Sequence, residues 1–303
     1  MNYVRMTTIA TLVTGKQAIE DFKIFLHSLQ LFVSPLPTLH IATDDATLPL
    51  LQILPYTGLQ HFYTIMNRYT GMDRKEMEAK GLFKDYTSEK LRVIELAFVG
   101  AKTGVWFFDA DICFFGPLPT LPATATVGLS PHYIRKSDTD LYGVYNAGFL
   151  WLKDPSWVKV WSDAIPASRF FEQAALETVA KAASSSSLSV SEADRKDAAP
   201  SKNGLHEFDV NHNYGWWRMF QSSHSPTHQK DMFGINRASG AGITVENLPL
   251  GSVHTHFTQR TGITDEFNLF MGRQLSKIEK AHKPAHKLLW FIGNARSVAS
   301  EAK

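Results

Sequence analysis

The sequence predicts an α/β protein with a mostly parallel central sheet flanked by helices. Through the first 65 residues, strand-like, helix-like and strand-like segments follow one another with short connections, the pattern of parallel strands joined by crossovers. Further on, the apolar runs Val105–Phe108 and Ile112–Phe115 show no polar alternation, as strands covered on both faces do. The 303 residues are 44% hydrophobic and 20% charged, ordinary for a globular protein and long enough for one large α/β domain or two small ones.

The elements follow in order. Thr7–Thr14 is β-branched and ends at Gly15, so it reads as a strand. Ala18–Val33 places Ile19, Phe22, Leu26 and Leu29 at helical intervals and closes at Pro35. Thr38–Thr43 is the second strand, Leu48–Leu54 a short helix and Gln60–Ile65 the third strand. Met72–Gly81 is a charge run, expected as a solvated helix face. Ser88–Val99 reads as a helix with Ser88 as N-cap, which puts Lys90 in the first turn, where the macrodipole disfavours a cation. After the central apolar runs come strands at Ala125–Leu129 and Val144–Leu152, separated by Ser130–Gly143, a polar stretch expected to be a mobile loop. Pro155–Ala164 and Phe170–Ala183 read as helices, the second with Glu172 and Gln173 near its start. Ser184–Ser201 is low in complexity and is expected to be a disordered or mobile loop. Leu205–Val210, Gly240–Leu248 and Ser252–Phe257 are late strands. Tyr214, Trp216, Trp217 and Phe220, beside Asn211, His212 and Asn213, form either a sugar-stacking wall or core, with core favoured. Beyond Thr261 the chain is mostly helical. The expected division is one domain over residues 1–270 and a helical extension over 271–303.

The chemistry concentrates in Asp109-Ala110-Asp111, set between two apolar runs. Carboxylates in such a place are costly unless compensated. If the strand continued, Asp109 and Asp111 would point the same way, and convergent carboxylates at a strand end suit a hard divalent cation that shares its ligands with phosphates. Ligands in open α/β sheets bind beyond the carboxyl ends of the strands, where this pair lies. His254 and His256, two apart in VHTHF, are further candidates for metal ligation. Asn146 interrupts an apolar strand, and a buried amide needs partners; it is expected to face a ligand. Net charge is +2, which gives no electrostatic case for nucleic acid. The single cysteine, Cys113, excludes an internal disulfide and points to a reducing compartment. No secretory signal and no apolar run near the ~20 residues of a membrane span is seen, so the expected location is cytoplasmic.

The order of these features resembles the GT-A nucleotide-sugar glycosyltransferases, above all the glycogenin-like branch (family 8), from about Thr7 to about Phe257. The resemblance implies the GT-A fold and a role for each matching residue. The first strand and helix, with Thr11 and Thr14, would hold the donor nucleotide. Lys90, followed by Leu91, would reach the donor. Asp109, Ala110 and Asp111 would bind Mn²⁺ or Mg²⁺ and the diphosphate, with His256, followed by Phe257, as third metal ligand. Asn146-Ala147-Gly148 would lie near the sugar and acceptor. Glu172-Gln173 matches an Asp-Gln pair, with Glu in place of Asp. Two departures stand out. The family's base-stacking tyrosine falls at Ala18, and its Lys-Pro-Trp is missing after His256, where Arg260 would stand in for it.

The implied activity is metal-dependent transfer of a sugar, from a UDP-sugar above all, to a hydroxyl on a glycan, protein or small molecule. Glu172 would stabilise the cationic sugar or deprotonate the acceptor. Two other readings are a haloacid-dehalogenase-like phosphohydrolase with Asp109 as nucleophile and a nucleotide-sugar-binding protein without catalysis.

Overall fold

The structure is a computed structural model that describes residues 7–185 and 204–301. The segment expected to be disordered, Ser184–Ser201, lies outside the described residues from 186 onward; Ser184 and Ser185 close a helix.

Thirteen strands are described: β1 (Thr8–Leu12), β2 (Thr38–Ala42), β3 (Gln60–Tyr63), β4 (Val105–Phe108), β5 (Ile112–Phe114), β6 (Val127–Pro131), β7 (Tyr145–Leu152), β8 (Leu205–Glu207), β9 (Tyr214–Gly215), β10 (Phe233–Ile235), β11 (Ile243–Val245), β12 (Leu248–Pro249) and β13 (Ser252–His254). The helices described are α1 (Gly15–Phe32), α2 (Leu48–Gln52), α3 (Arg74–Ala79), α4 (Phe83–Phe98), α5 (Lys136–Tyr142), α6 (Ser156–Ala164), α7 (Leu176–Ser185), α8 (Trp216–Phe220), α9 (Pro226–Asp231), α10 (Gly262–Ile278) and α11 (Lys283–Glu301).

Seven strands form the main sheet in the order β3-β2-β1-β4-β7-β6-β8. Every pairing is parallel except those of β7, which runs against both β4 and β6. The expected mostly parallel α/β sheet is therefore present. Strands β1, β4, β6 and β7 are buried along their whole length, which is why their sequences do not alternate. One face carries Ala10, Phe107 and Leu150 against Leu91 and Ile94 of α4 and Trp161 of α6. The other carries Ile9, Ile41 and Phe108 against Phe22, Phe25 and Leu29 of α1. A third cluster joins Cys113 and Val253 to Phe267, Met271 and Leu275 of α10 and Leu288 and Ile292 of α11. The boundary expected at 270/271 falls inside α10.

Several local expectations are corrected. The apolar run around the acids is not one strand: β4 ends at Phe108 in the main sheet, and β5 begins at Ile112 in a second sheet ordered β5-β13-β9. Helix α4 starts at Phe83, one and a half turns before Ser88. The Ser88 hydroxyl donates back to the Lys84 carbonyl instead of capping. Lys90 is thus in mid-helix, on the buried stripe with Leu91 and Ile94. Ser130–Gly143 is not a loop throughout: its first residues complete β6, and Lys136–Tyr142 is α5, with Lys136 and Asp140 paired at 2.6 Å one turn apart. Phe170–Ala183 is helical only from Leu176, because Phe171 takes a left-handed φ of 42° and residues 171–175 turn before the helix starts. The strand expected over Ser252–Phe257 stops at His254. The aromatic group is mostly core: Tyr214 is fully buried, Trp217 nearly so, and Trp216 and Phe220 pack against the third cluster.

Candidate metal and donor site

The site forms at the carboxyl end of β4, where β7 crosses it. The backbone N–H of Asp109 donates to the Gly148 carbonyl at 2.9 Å, so the turn after β4 is tied to β7 as it begins. The turn closes with Ile112 N–H on the Asp109 carbonyl at 3.1 Å. It hands the chain to β5, whose antiparallel partner β13 sets His254 opposite Ile112. Thr255 N–H then donates to the Asp111 carbonyl at 3.1 Å. Residues more than 140 positions apart thus meet because a turn between two sheets ends beside the strand that carries the imidazole.

His254 Nε2 lies 3.1 Å from Asp111 Oδ1 and 3.8 Å from Asp109 Oδ2. Among the described residues, Asp109, Asp111 and His254 are the group that could hold a metal ion, with one donor atom from each within 4.8 Å of the others. Two carboxylates and an imidazole nitrogen fit a divalent cation with mixed oxygen and nitrogen ligands. Burial alone would raise the Asp111 pKa, but His254 and His256 hold its carboxyl well below the usual range.

His256, expected as the third ligand, is placed differently. With β13 ending at His254, the two histidines do not share a strand face. His256 Nδ1 sits 2.7 Å from Asp21 Oδ2 on α1 and 3.6 Å from Asp111 Oδ2. Burial opposes its charge, yet Asp111 and Asp21 raise its pKa. Asp21 is buried on the apolar side of α1 and also accepts from Gln17 Nε2 at 3.0 Å.

Lys90 is buried within this acid cluster. Its Nζ lies 3.2 Å from Asp109 Oδ1 and 3.0 Å from Glu172 Oε1. Burial would lower its pKa, but the two carboxylates hold it above the usual lysine range. Glu172, itself buried, stands in the turn before α7, and its carbonyl accepts from Trp161 Nε1 at 2.7 Å. Lys90, Asp109 and Glu172 are therefore brought together, as are Asp109, Asp111 and His254.

Of the other expected residues, Asn146 and Ala110 stay beside the acids, and Thr14 and Arg260 have partners elsewhere. Asn146 is buried: its Oδ1 accepts from Gly148 N–H at 2.9 Å and its Nδ2 lies 3.3 Å from His132 Nε2. Gln173 donates to the Tyr142 carbonyl at 2.9 Å. Ala110 is buried in the turn between the acids. Thr11 lies within β1 with its hydroxyl buried and unpartnered. Thr14, just before α1, donates to Asp44 Oδ2. Arg260 donates to the carbonyl of Arg296 on α11, and no contact with the acids is seen among the described residues.

Sequence reasoning missed Asp21 and Arg218, and met Asn213 only as a polar neighbour of the aromatic group. Asp21 could have been flagged as a charge between Ile19 and Phe22 on an apolar helix face. Arg218, buried within WWRMF, has its five N–H groups on Ser130 Oγ and the carbonyls of Pro131, His132, Val210 and His212. Nothing in the local pattern marks Asn213.

Gly148 gives a direct test of this packing. A Cβ there would overlap Asp109 Oδ2 and lie 2.6 Å from His254 Cε1. Gly148→Ala is expected to fold but to displace the acid or the imidazole, weakening Mn²⁺ binding at least tenfold by calorimetry. Unchanged Mn²⁺ affinity would contradict the arrangement.

No family model matches the sequence, and no curated protein matches it. Solved structures do. A structure of the galactosyltransferase LgtC, in complex with donor and acceptor sugar analogs, is 12% identical, with a TM-score of 0.53 over 88% of this chain and 94% of that one. Apo mouse xyloside xylosyltransferase 1 is 13% identical, with a TM-score of 0.39 over 70% of this chain and 89% of that one. The chain has the α/β fold of the GT-A glycosyltransferases. Among the described residues, no helix is long and apolar enough to cross a membrane.

Proposed function

We propose, from the GT-A fold and the chemistry at the end of β4, that this protein is a metal-dependent glycosyltransferase. It would move a sugar from a nucleoside-diphosphate sugar, UDP being the expected nucleotide, to a hydroxyl acceptor. The observation that carries this reading is the meeting of Asp109, Asp111 and His254 beside a buried lysine, at the carboxyl edge where such sheets bind ligands.

Transfer breaks the bond between the anomeric carbon and the diphosphate oxygen and forms one to the acceptor oxygen, whose proton would pass to an oxygen of the departing diphosphate. Asp109, Asp111 and His254 would hold a divalent cation, Mn²⁺ or Mg²⁺, which when bound supplies Lewis-acid neutralisation of the departing diphosphate. Lys90 adds a fixed positive charge in a water-poor site, where it needs no reorganisation as negative charge grows on the leaving group. Lys90 Nζ also pairs with the buried Glu172 carboxylate at 3.0 Å. Glu172, buried and paired with Lys90, would stabilise the oxocarbenium-like sugar. Asp21 fixes His256 against Asp111 and so holds the turn from α1's side.

Binding is the first test. Nucleoside diphosphate with Mn²⁺, at a hundredfold excess over Kd, should stabilise the fold by about 2.7 kcal/mol, a rise of several degrees in Tm, and a chelator should reverse it. A panel of nucleoside diphosphates and their sugars that leaves Tm unmoved would defeat the reading. The phosphohydrolase reading predicts hydrolysis of p-nitrophenyl phosphate, and no turnover of that compound is expected.

A further inference from the structure

We infer that Asn213 is a positioning residue that orients the His254 ring, fixing a proton on Nδ1 and leaving Nε2 as the nitrogen that faces Asp109 and Asp111. The inference deepens the metal-site reading above and rests on it for the use of Nε2.

The argument is a count of protons along one buried chain of groups. It starts from a donor whose identity is fixed by covalent structure, the backbone N–H of Gly148. That N–H lies 2.9 Å from Asn146 Oδ1, so this end of the Asn146 amide is the oxygen. The Asn213 amide places its Nδ2 3.2 Å from the same oxygen and 3.0 Å from Ser130 Oγ. Both Nδ2 hydrogens are then in use, and Asn213 Oδ1 is the atom that faces His254 Nδ1 at 3.0 Å. An amide oxygen only accepts, so His254 Nδ1 must carry the proton. Nε2 is then the nitrogen left to the acids, 3.1 Å from Asp111 Oδ1.

The opposite end of the chain gives the same answer independently. Asn146 Nδ2 lies 3.3 Å from His132 Nε2, which must accept. His132 Nδ1 lies 3.0 Å from the Gly143 carbonyl, which also only accepts, so that ring carries its proton on Nδ1 as well. His132 is buried and neutral, its pKa lowered to about 4 by burial. A backbone donor at one end and a backbone acceptor at the other thus orient both amides and both rings without conflict.

Asn213 is built for this place. It is fully buried, its backbone N–H donates to Ser252 Oγ at 2.8 Å, and its φ of 52° lies in the left-handed region that Asn tolerates better than most residues. Ser130, which accepts from its amide, is also reached by Arg218 NH2 at 3.4 Å. Groups that fix the tautomer of a ligating histidine typically change metal affinity 10–100-fold when removed.

The test reads the ring directly. In protein labelled with ¹⁵N-histidine, long-range ¹H–¹⁵N spectra report whether Nδ1 is protonated, with His254→Gln assigning the signals. The wild type is expected to show His254 protonated on Nδ1. Asn213→Gly, which tolerates the left-handed backbone, should lose that preference and bind Mn²⁺ 10–100-fold more weakly by calorimetry. A wild-type ring with no proton on Nδ1 overturns the inference, whether or not any variant folds. So does a folded Asn213→Gly with unchanged tautomer and unchanged Mn²⁺ affinity. An Nδ1-protonated ring in a wild type that binds no Mn²⁺ supports the role of Asn213 and sinks the metal reading instead.

Discussion

Asp111→Asn is expected to abolish sugar transfer while leaving the protein folded. Asp111 is the acid shared by both histidines, with His254 Nε2 at 3.1 Å and His256 Nδ1 at 3.6 Å. The amide keeps the shape and removes the charge. Metal-assisted charge neutralisation supplies several kcal/mol in the transition state, and each 1.36 kcal/mol is about tenfold in rate. The loss should therefore be on the order of 10³-fold or more, measured as turnover of a nucleoside-diphosphate sugar with saturating Mn²⁺. The circular dichroism spectrum should be unchanged, and Mn²⁺ with nucleotide should no longer raise Tm. Wild-type turnover by this variant would remove the basis for the proposed function.

Lys90→Met is expected to be the most destabilising single change at the site. Lys90 is the buried cation between Asp109 and Glu172, and Glu172 is 3% exposed. Methionine fills much of the same volume but leaves the Glu172 carboxylate buried without its partner. Removing one member of a buried ion pair costs about 3–5 kcal/mol, because the survivor keeps its desolvation penalty. Denaturant unfolding should show this loss. Adding Glu172→Gln to Lys90→Met should restore most of the stability, since no charge is then stranded, yet transfer should stay lost. A single variant as stable as the wild type would mean that the pair is open to solvent and that the low-polarity setting invoked for Lys90 is wrong.

What could be read from the sequence was set by how local each cause is. The sheet was legible because Val105–Phe108 and, Asn146 apart, Val144–Leu152 carry apolar runs, and burial on both faces requires that pattern. The acids were legible for a similar reason, since carboxylates between such runs need a compensating partner. The third member of the group was not. His254 and His256 are equivalent in sequence, and the choice between them depends on where β13 stops pairing with β5, a matter of register between segments 140 residues apart. Lys90 was noticed for a wrong reason. Its helix begins at Phe83, so its charge is held by Asp109 and Glu172 across the fold and has no link to a helix end. Asn213 was out of reach because its role exists only once Asn146, Ser130 and His254 surround it.

The last helix bears on the site from outside. Arg296 of α11 donates to the Phe257 carbonyl at 2.9 Å and pairs with Asp265, while Arg260 reaches back to the carbonyl of Arg296. These bonds clamp the stretch that leaves His256, and His27 of α1 stacks on Phe291 at 4.0 Å to close the same seam. Helix α11 therefore works as a buttress for the segment behind the imidazoles. A truncation inside it, chosen for ease of expression, would loosen the wall against which two histidines are set, and a weak preparation of that kind would reflect the cut and not the chemistry.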